Sequence, residues 1–342
     1  MPSFIDIVLT LTRHRTRSTQ HNTQMVKNII RNQLFLFAGS AWTSQRWGWE
    51  DYPWSHIGNH GLAHGVALGV AVGAILIGFG TLVEKSDKHV FADINKSTID
   101  MTMRLFGRSE GVTMGQPSTL QVAAIALGLA ALTGLCEETT FRGQIISALS
   151  VAHPGSYLHM LGFSSILFGV AHFTLGGHML DAGALIALQT FNGLWFGLAF
   201  VMTGGDLTAS IVAHALYDFQ VLFNTWKTTN EQMDYAESNV GSHSDLGISP
   251  KWSVLSNNSK KSDFIPSMER WFYTLDTERK GTLGRGDVSR GLSFSMGWRR
   301  ISNKKLDEEL KKAGTEGRVT FPQFLDLVSS IKAERDETKR IV

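Results

Sequence analysis

Leu135-Cys136-Glu137-Glu138-Thr139-Thr140-Phe141-Arg142-Gly143 closes an apolar run, Leu120 to Leu135, that is otherwise fit for lipid. It sets two carboxylates and a guanidinium at the end of that run. Between Gln116 and Trp226 the only acidic or basic residues are Glu137, Glu138, Arg142, Asp181, Asp206 and Asp218. A charge at membrane depth costs about 2.5–3.5 kcal/mol even on lenient insertion scales, so the few that persist usually belong to a site. The alternative is a membrane-edge cluster whose Glu and Arg side chains snorkel to the headgroups.

The tracts around this stretch are apolar and helical in pattern. Gly65 to Val83 reads as the clearest first span, with Gly65, Gly69 and Gly73 at a spacing that lets helices approach closely in lipid. His60 and His64 lie at its entry and read as interfacial. After the charged stretch come Ile145 to Ala152, Tyr157 to Phe173, Ala182 to Met202 and Leu207 to Phe223, each apolar and none reading as a strand. Four or more helices packed in a bilayer follow, because backbone polar groups in hydrocarbon must be satisfied internally. Asn32 to Trp42 is apolar but too short to span, which suggests an interfacial or re-entrant helix. Trp42, Trp47, Trp49, Tyr52 and Trp54 suggest an aromatic belt at headgroup level. The connector Glu84 to Pro117 has balanced charge.

A chain of 342 residues suits two domains, and the charge is concentrated in its last third. The net charge of +2 gives no argument for nucleic acid, and no basic-aromatic surface pattern adds one. The lone Cys136 excludes an internal disulfide framework. Near the N-terminus Arg13, Arg15, Arg17, Lys27 and Arg31 accumulate among Thr, Ser, Asn and Gln without acids. That composition fits an organelle transit peptide and equally a basic arm under the positive-inside rule. An integral, multi-pass protein of the plastid or the endoplasmic reticulum membrane is expected.

Three constellations carry the chemistry. Glu138 and Arg142 are an i, i+4 pair on one helix face. Glu137 points about 100° away and is left as a candidate base. Phe168 and His172 share a face in the same way, the ring shielding one side of the imidazole. So do His214 and Asp218, where a carboxylate one turn from a histidine fixes its tautomer. A hydrogen-bonded core histidine is the bland reading of each. Its weight falls because all three repeat one rule, polar residues spaced to share a face within apolar helices.

Taken together and in this order, about thirty and about forty residues apart, the Glu137/Glu138/Arg142, Phe168/His172 and His214/Asp218 elements resemble the three motifs of the CPBP family. That family comprises the type II CAAX prenyl endopeptidases, the Abi-type bacteriocin-processing and self-immunity proteins, and plastid relatives. The resemblance covers about Gly115 to Phe223. It implies a polytopic intramembrane endopeptidase, which in its eukaryotic prenyl form removes the last three residues of a prenylated CAAX protein. It further implies that Glu137 and His172 activate the attacking water, that His214 and Asp218 serve the oxyanion, and that Arg142 and Glu138 hold the Glu137 helix. Asp218 departs from the Asn usual in the prenyl proteases, and an ionised Asp cannot donate to an oxyanion.

Beyond Trp226 the composition changes. Thr228 to Asp263 is rich in Ser, Asn, Lys and Gly and reads as a disordered linker. Phe264 to Leu275 is helical in period, and the following Asp276 to Asp287 resembles an EF-hand loop, with Asp276 at position 1, Gly281 at the turn, Leu283 at the strand position and Asp287 at position 12. Lys280 stands where an oxygen ligand belongs. In the second half, Gly317 and Val319 fit, whereas Lys312, Gly314 and Gln323 occupy ligand positions. A degenerate pair with weak or no calcium binding is expected, acting as a docking module for substrate or a protein partner.

The whole chain thus reads as all-α, a polytopic transmembrane helical bundle with a small soluble EF-hand-like domain. Its segments are 1–55 (basic segment and interfacial helix), 56–226 (protease core), 227–263 (linker) and 264–342 (EF-hand-like domain). No cofactor is expected for the lead function, an intramembrane endopeptidase acting on a protein or peptide substrate, prenylated C-termini among them. One alternative places Zn²⁺ on Glu137, His172 and His214. Another is a non-catalytic membrane scaffold or chaperone of the same family.

Overall fold

Ser118 starts the helix that carries the decisive stretch. Its hydroxyl accepts from the Gln121 amide at 3.3 Å while the Gln121 side chain accepts from the Ser118 amide at 2.9 Å, a reciprocal cap that satisfies two orphan donors. The computed structural model describes residues 18–46, 56–59, 61–84, 89–106, 117–152, 155–172, 179–246, 249, 252, 261–289, 303–312 and 317–341. Arg13, Arg15, Arg17, Trp47, Trp49, Tyr52, Trp54, His60, Gly314 and the side chain of Asp181 lie outside the described residues. The described chain is almost wholly helical and forms two compact units. One holds residues before Ser86 together with Ser97–Trp226, and the other holds Ser86–Lys96 with Lys227–Val342.

The first unit is built from α1 (Ser18–Arg46), α2 (Leu62–Glu84), the C-terminal part of α3 (His89–Phe106) and α4 (Thr119–Glu138). A π-helical segment (Thr139–Ile146), α5 (Ser147–Ala152), α6 (Tyr157–Ala171), α7 (Met179–Met202) and the first part of α8 (Leu207–Asn239) complete it. Three stretches among the described residues are long and apolar enough to cross a bilayer, Leu62–Glu84, Thr119–Ala152 and Gly183–Met202. Only 28–39% of their most apolar windows is buried, so most of that surface faces outward. Val70, Ile75 and Leu82 on α2 and Leu120 and Leu127 on α4 are exposed. Such a surface is a lipid contact; in water it would be an aggregation site. The α6 helix is apolar but shorter.

One expectation is corrected here. The Glu137–Arg142 stretch does not end its span. The helix continues to Ala152, with the charges in mid-span where a π-helical segment widens it. Widened turns of this kind cluster at functional sites. The Phe141 carbonyl in that segment accepts from Ser164 of α6 at 2.7 Å. Asn32 to Trp42 is the middle of a helix of 29 residues that packs along α4 and the π segment.

Glycines set the close approaches. A Cβ on Gly69 would lie 2.6 Å from the Ala209 carbonyl and 2.7 Å from Val212, so α2 and α8 meet nearly backbone to backbone. On Gly134 it would lie 3.0 Å from the Ile211 carbonyl. That contact brings α4 against α8 one turn before the glutamates. Asp206, one of the sparse charges, serves the fold: its Oδ1 accepts from Thr208 N at 2.8 Å and Gly58 N at 3.0 Å, capping α8 and pinning an upstream turn.

In the second unit, α9 (Lys261–Leu275), β1 (Leu283–Gly284), α10 (Asn303–Lys312), β2 (Arg318–Val319) and α11 (Phe321–Ile341) follow the end of α8. The two short strands pair antiparallel with Leu283 opposite Val319. Phe272, Leu283, Val319, Phe321, Phe324 and Val328 form the buried core. Residues 228–239, expected as the start of a flexible linker, are instead the last turns of α8. Few but well-placed anchors hold them: Ala236 is buried in that core, and the Gln232 amide donates to the carbonyls of Tyr273 at 2.7 Å and Asp276 at 2.8 Å.

Candidate active site

Glu137, Glu138, Arg142, His172, His214 and Asp218 come together in the first unit, drawn from α4, the π segment, the end of α6 and α8. Glu138 is the hub. Its Oε1 accepts from Arg142 Nη1 at 3.0 Å and from His214 Nδ1 at 2.7 Å. Arg142 has no exposed surface. Its Nη2 donates to the Gly193 carbonyl at 2.7 Å, and its guanidinium lies 4.7 Å from the centre of the Phe168 ring. A buried cation is tolerable only when it is paired in this way, and Arg142 Nε alone is left without a partner among the described residues. Phe196 stacks on His214 with ring centres 4.5 Å apart and planes within 9°. Both rotatable members are thereby locked.

Glu137 has a different environment. Its Oε1 accepts from Gln33 Nε2 of α1 at 2.8 Å. Its Oε2 is buried without a hydrogen-bond partner among the described residues, 3.8 Å from His172 Nε2 and 3.9 Å from His214 Nε2. The Phe168 carbonyl sits 2.8 Å from His172 Nδ1. A carbonyl only accepts, so Nδ1 carries a proton, and in the neutral imidazole the Nε2 lone pair faces Glu137. The Phe168 ring covers the imidazole at 4.6 Å. Asp218 Oδ2 lies 3.5 Å from His214 Nε2.

This arrangement joins a desolvated carboxylate with a free oxygen, an imidazole lone pair beside it, and a second imidazole oriented by Glu138. A base near the proton to be abstracted and a donor near a developing oxyanion are what amide hydrolysis requires. The zinc alternative needs three ligands on one point. Among the described residues no group of three or more His, Cys, Asp or Glu side chains is placed to hold a metal ion.

Spacing arguments within single helices found the residues on α4, α6 and α8. They missed Gln33, which lies 104 residues from its partner. A signal was present: Val26, Ile30, Gln33, Phe37, Ser40 and Ser44 recur at alternating four- and three-residue steps. That is the stripe of a helix packed against another, and Gln33, Ser40 and Ser44 make it mostly polar in its second half.

Neither a curated protein nor a solved structure matches this chain. Residues 119–220 match the model of the family described as Rce1-like, "Type II CAAX prenyl endopeptidase Rce1-like". The match runs from the first residue of α4 to just beyond Asp218, so it takes in every residue that meets around Glu137 except Gln33. Residues 119–220 of this integral membrane protein are therefore similar to the Rce1-like family of type II CAAX prenyl endopeptidases.

Proposed function

We propose that the chain is an endopeptidase in which Glu137 is the general base and water the nucleophile. The observation that carries this is the free oxygen of Glu137, buried between two imidazoles while its other oxygen is held by Gln33. A water whose two protons face Glu137 Oε2 and His172 Nε2 presents a lone pair to the scissile carbonyl. Attack transfers one proton to Glu137, forms the C–O bond and puts negative charge on the carbonyl oxygen. His214, when both its nitrogens carry protons, donates Nδ1–H to Glu138, and its Nε2–H, 3.5 Å from Asp218 Oδ2 at rest, turns to that oxyanion. Asp218 orients His214. Collapse of the intermediate breaks the C–N bond, and the proton on Glu137 passes to the leaving amine.

Prenylated CAAX C-termini are the proposed substrates, supported by the family of residues 119–220. The test uses the full chain in nanodiscs with a prenylated CAAX peptide and its unprenylated twin. Cleavage of the first by wild type and none by Glu137→Ala is expected. Equal cleavage by Glu137→Ala refutes the reading, loss of activity with a chelator returns zinc to consideration, and preference for the unprenylated peptide removes the prenyl substrate.

The second unit is proposed as an EF-hand-like docking module for substrate or a partner. The helix–loop–strand pairs support it. Weak or no calcium binding is proposed for the first loop, where Lys280 stands at a ligand position. Asp276 already accepts from Lys280 N, Gly281 N and the Tyr235 hydroxyl, and Asp287 from Thr277 Oγ1 and Gly284 N. Plastid or endoplasmic reticulum membrane is the proposed location, to be decided by imaging the tagged full-length protein.

A further inference from the structure

Helix α1 lies outside residues 119–220, yet it reaches the centre of the candidate site. It runs parallel to α4 and the π segment in fixed register. Gln33 meets Glu137, and seven residues on Ser40 meets Gln144, also seven residues on. Ser40 Oγ donates to Gln144 Oε1 at 2.5 Å, and Gln144 Nε2 donates to Thr43 Oγ1. Between Gln33 and Ser44 the exposed large side chains are apolar, Phe35 at 80%, Trp42 at 64% and Leu34 at 46%, while Lys27, Arg31, Asn32, Gln45 and Arg46 are exposed on the turns to either side. In that middle part Gln33, Ser40 and Ser44 turn toward the protein and Leu34, Phe35 and Trp42 away from it, the reverse of a helix in water.

We infer that Gln33 is a positioning residue for the catalytic base, and that α1 is therefore part of the catalytic unit. The inference rests on the peptidase reading of Glu137. A carboxylate has two equivalent oxygens and a freely turning terminal bond. Gln33 Nε2 takes Oε1, so the plane is fixed and Oε2 is the oxygen that faces His172 and His214. The direction of the contact is set by chemistry: an ionised carboxylate only accepts, so the amide presents its NH₂. The Gln33 carbonyl oxygen is then left buried and without a partner among the described residues. Ser40, Thr43 and Gln144 act at one remove, holding α1 in the register that places Gln33.

The experiment is a double-mutant cycle in the full chain in nanodiscs, Gln33→Leu against Glu137→Ala, read by cleavage of the prenylated CAAX peptide and by thermal unfolding. Gln33→Leu is expected to lower kcat by about 10–100-fold, the range seen when a partner that orients a functional group is removed. KM should stay within about 2-fold, because Gln33 acts on the base and not on substrate binding. In unfolding, the shifts of the two single variants should exceed the shift of the double variant when summed. Phe35→Leu on the outer face is the control and should leave kcat unchanged. If Gln33→Leu does not fold, Gln33→Met, similar in size and without a donor, should show the same kcat loss. Folded Gln33 variants with wild-type kcat overturn the inference while leaving the peptidase reading intact. Additive unfolding shifts overturn it too, and that arm decides even if no peptide is cleaved. Activity retained by Glu137→Ala sinks the peptidase reading instead.

Discussion

Both units bury carboxylates, and they treat them in opposite ways. In the second unit Asp276, Asp287 and Glu269 are buried, and all their oxygens accept hydrogen bonds. Glu269 takes Gly241 N at 2.7 Å, His243 N at 2.6 Å and His243 Nδ1 at 2.9 Å. In the membrane unit Glu137 Oε2, Glu138 Oε2 and Arg142 Nε are buried with no partner among the described residues. Arg270 Nε, Trp271 Nε1 and Ser329 Oγ are scattered orphans of the second unit, but none is a carboxylate oxygen, the group whose desolvation costs most, more than the about 1–3 kcal/mol of a neutral orphan. A cluster of orphans around two imidazoles is thus a chemical feature, whereas a buried acid wrapped in amides is a fold element.

Removing one partner from each region should expose the difference. The largest effect is expected for Arg142→Leu, which takes the guanidinium from the buried Glu138 and leaves it His214 alone. A loss of about 3–5 kcal/mol is expected, read as a large fall in unfolding temperature in detergent. Restoring neutrality with Glu138→Gln in the same chain should recover part of it. Glu269→Ala strands three donors of the 241–243 turn and should cost about 1–3 kcal/mol, with cleavage unchanged. If it abolishes cleavage at intact stability, the division between structural and chemical acids fails.

Gly69→Leu tests the scaffold beneath the site. With 2.6 Å available, α2 and α8 must separate at an expected cost of about 1–3 kcal/mol. Cleavage should fall with it, since α8 carries His214. The smallest effect is expected for Tyr235→Phe, about 1 kcal/mol for one hydrogen bond to Asp276. Burial first, and the Asp276 carboxylate next, push the Tyr235 hydroxyl up to about 12. Because that lies above its ordinary value near ~10, the bond's contribution is complete below about pH 10 and is lost as pH rises through about 12. Calorimetry of the full chain should show no calcium binding tighter than about 10⁻³ M. Tight binding would mean that the amides around Asp276 give way to a cation.

The site's members on α4, α6 and α8 were legible because charge is so scarce between Gln116 and Trp226 that i, i+4 pairs stand out. The helical class was legible for the same reason, apolar tracts without strand alternation. Two features were not. The π-helical segment depends on how Ser164 and the neighbouring helices meet it, and spacing within one helix carries no such information. Helix α1 was hidden by its own polarity: Gln33, Ser40, Thr43 and Ser44 lower its mean hydropathy, so it reads as a surface helix although those side chains point inward. The tail of α8 failed for the converse reason. Its composition is that of a linker, and three or four anchors, Gln232, Tyr235 and Ala236 among them, outweigh composition.

The most direct measurement is the rate at which the full chain in nanodiscs cleaves a prenylated CAAX peptide, wild type against Glu137→Gln, with unfolding temperatures taken on the same samples. Glu137→Gln keeps the shape and the bond from Gln33 but cannot accept the water's proton. The rate should fall by about 10²-fold or more at an unchanged unfolding temperature. Cleavage at the wild-type rate by the Glu137→Gln protein would contradict the assignment of Glu137 as the base.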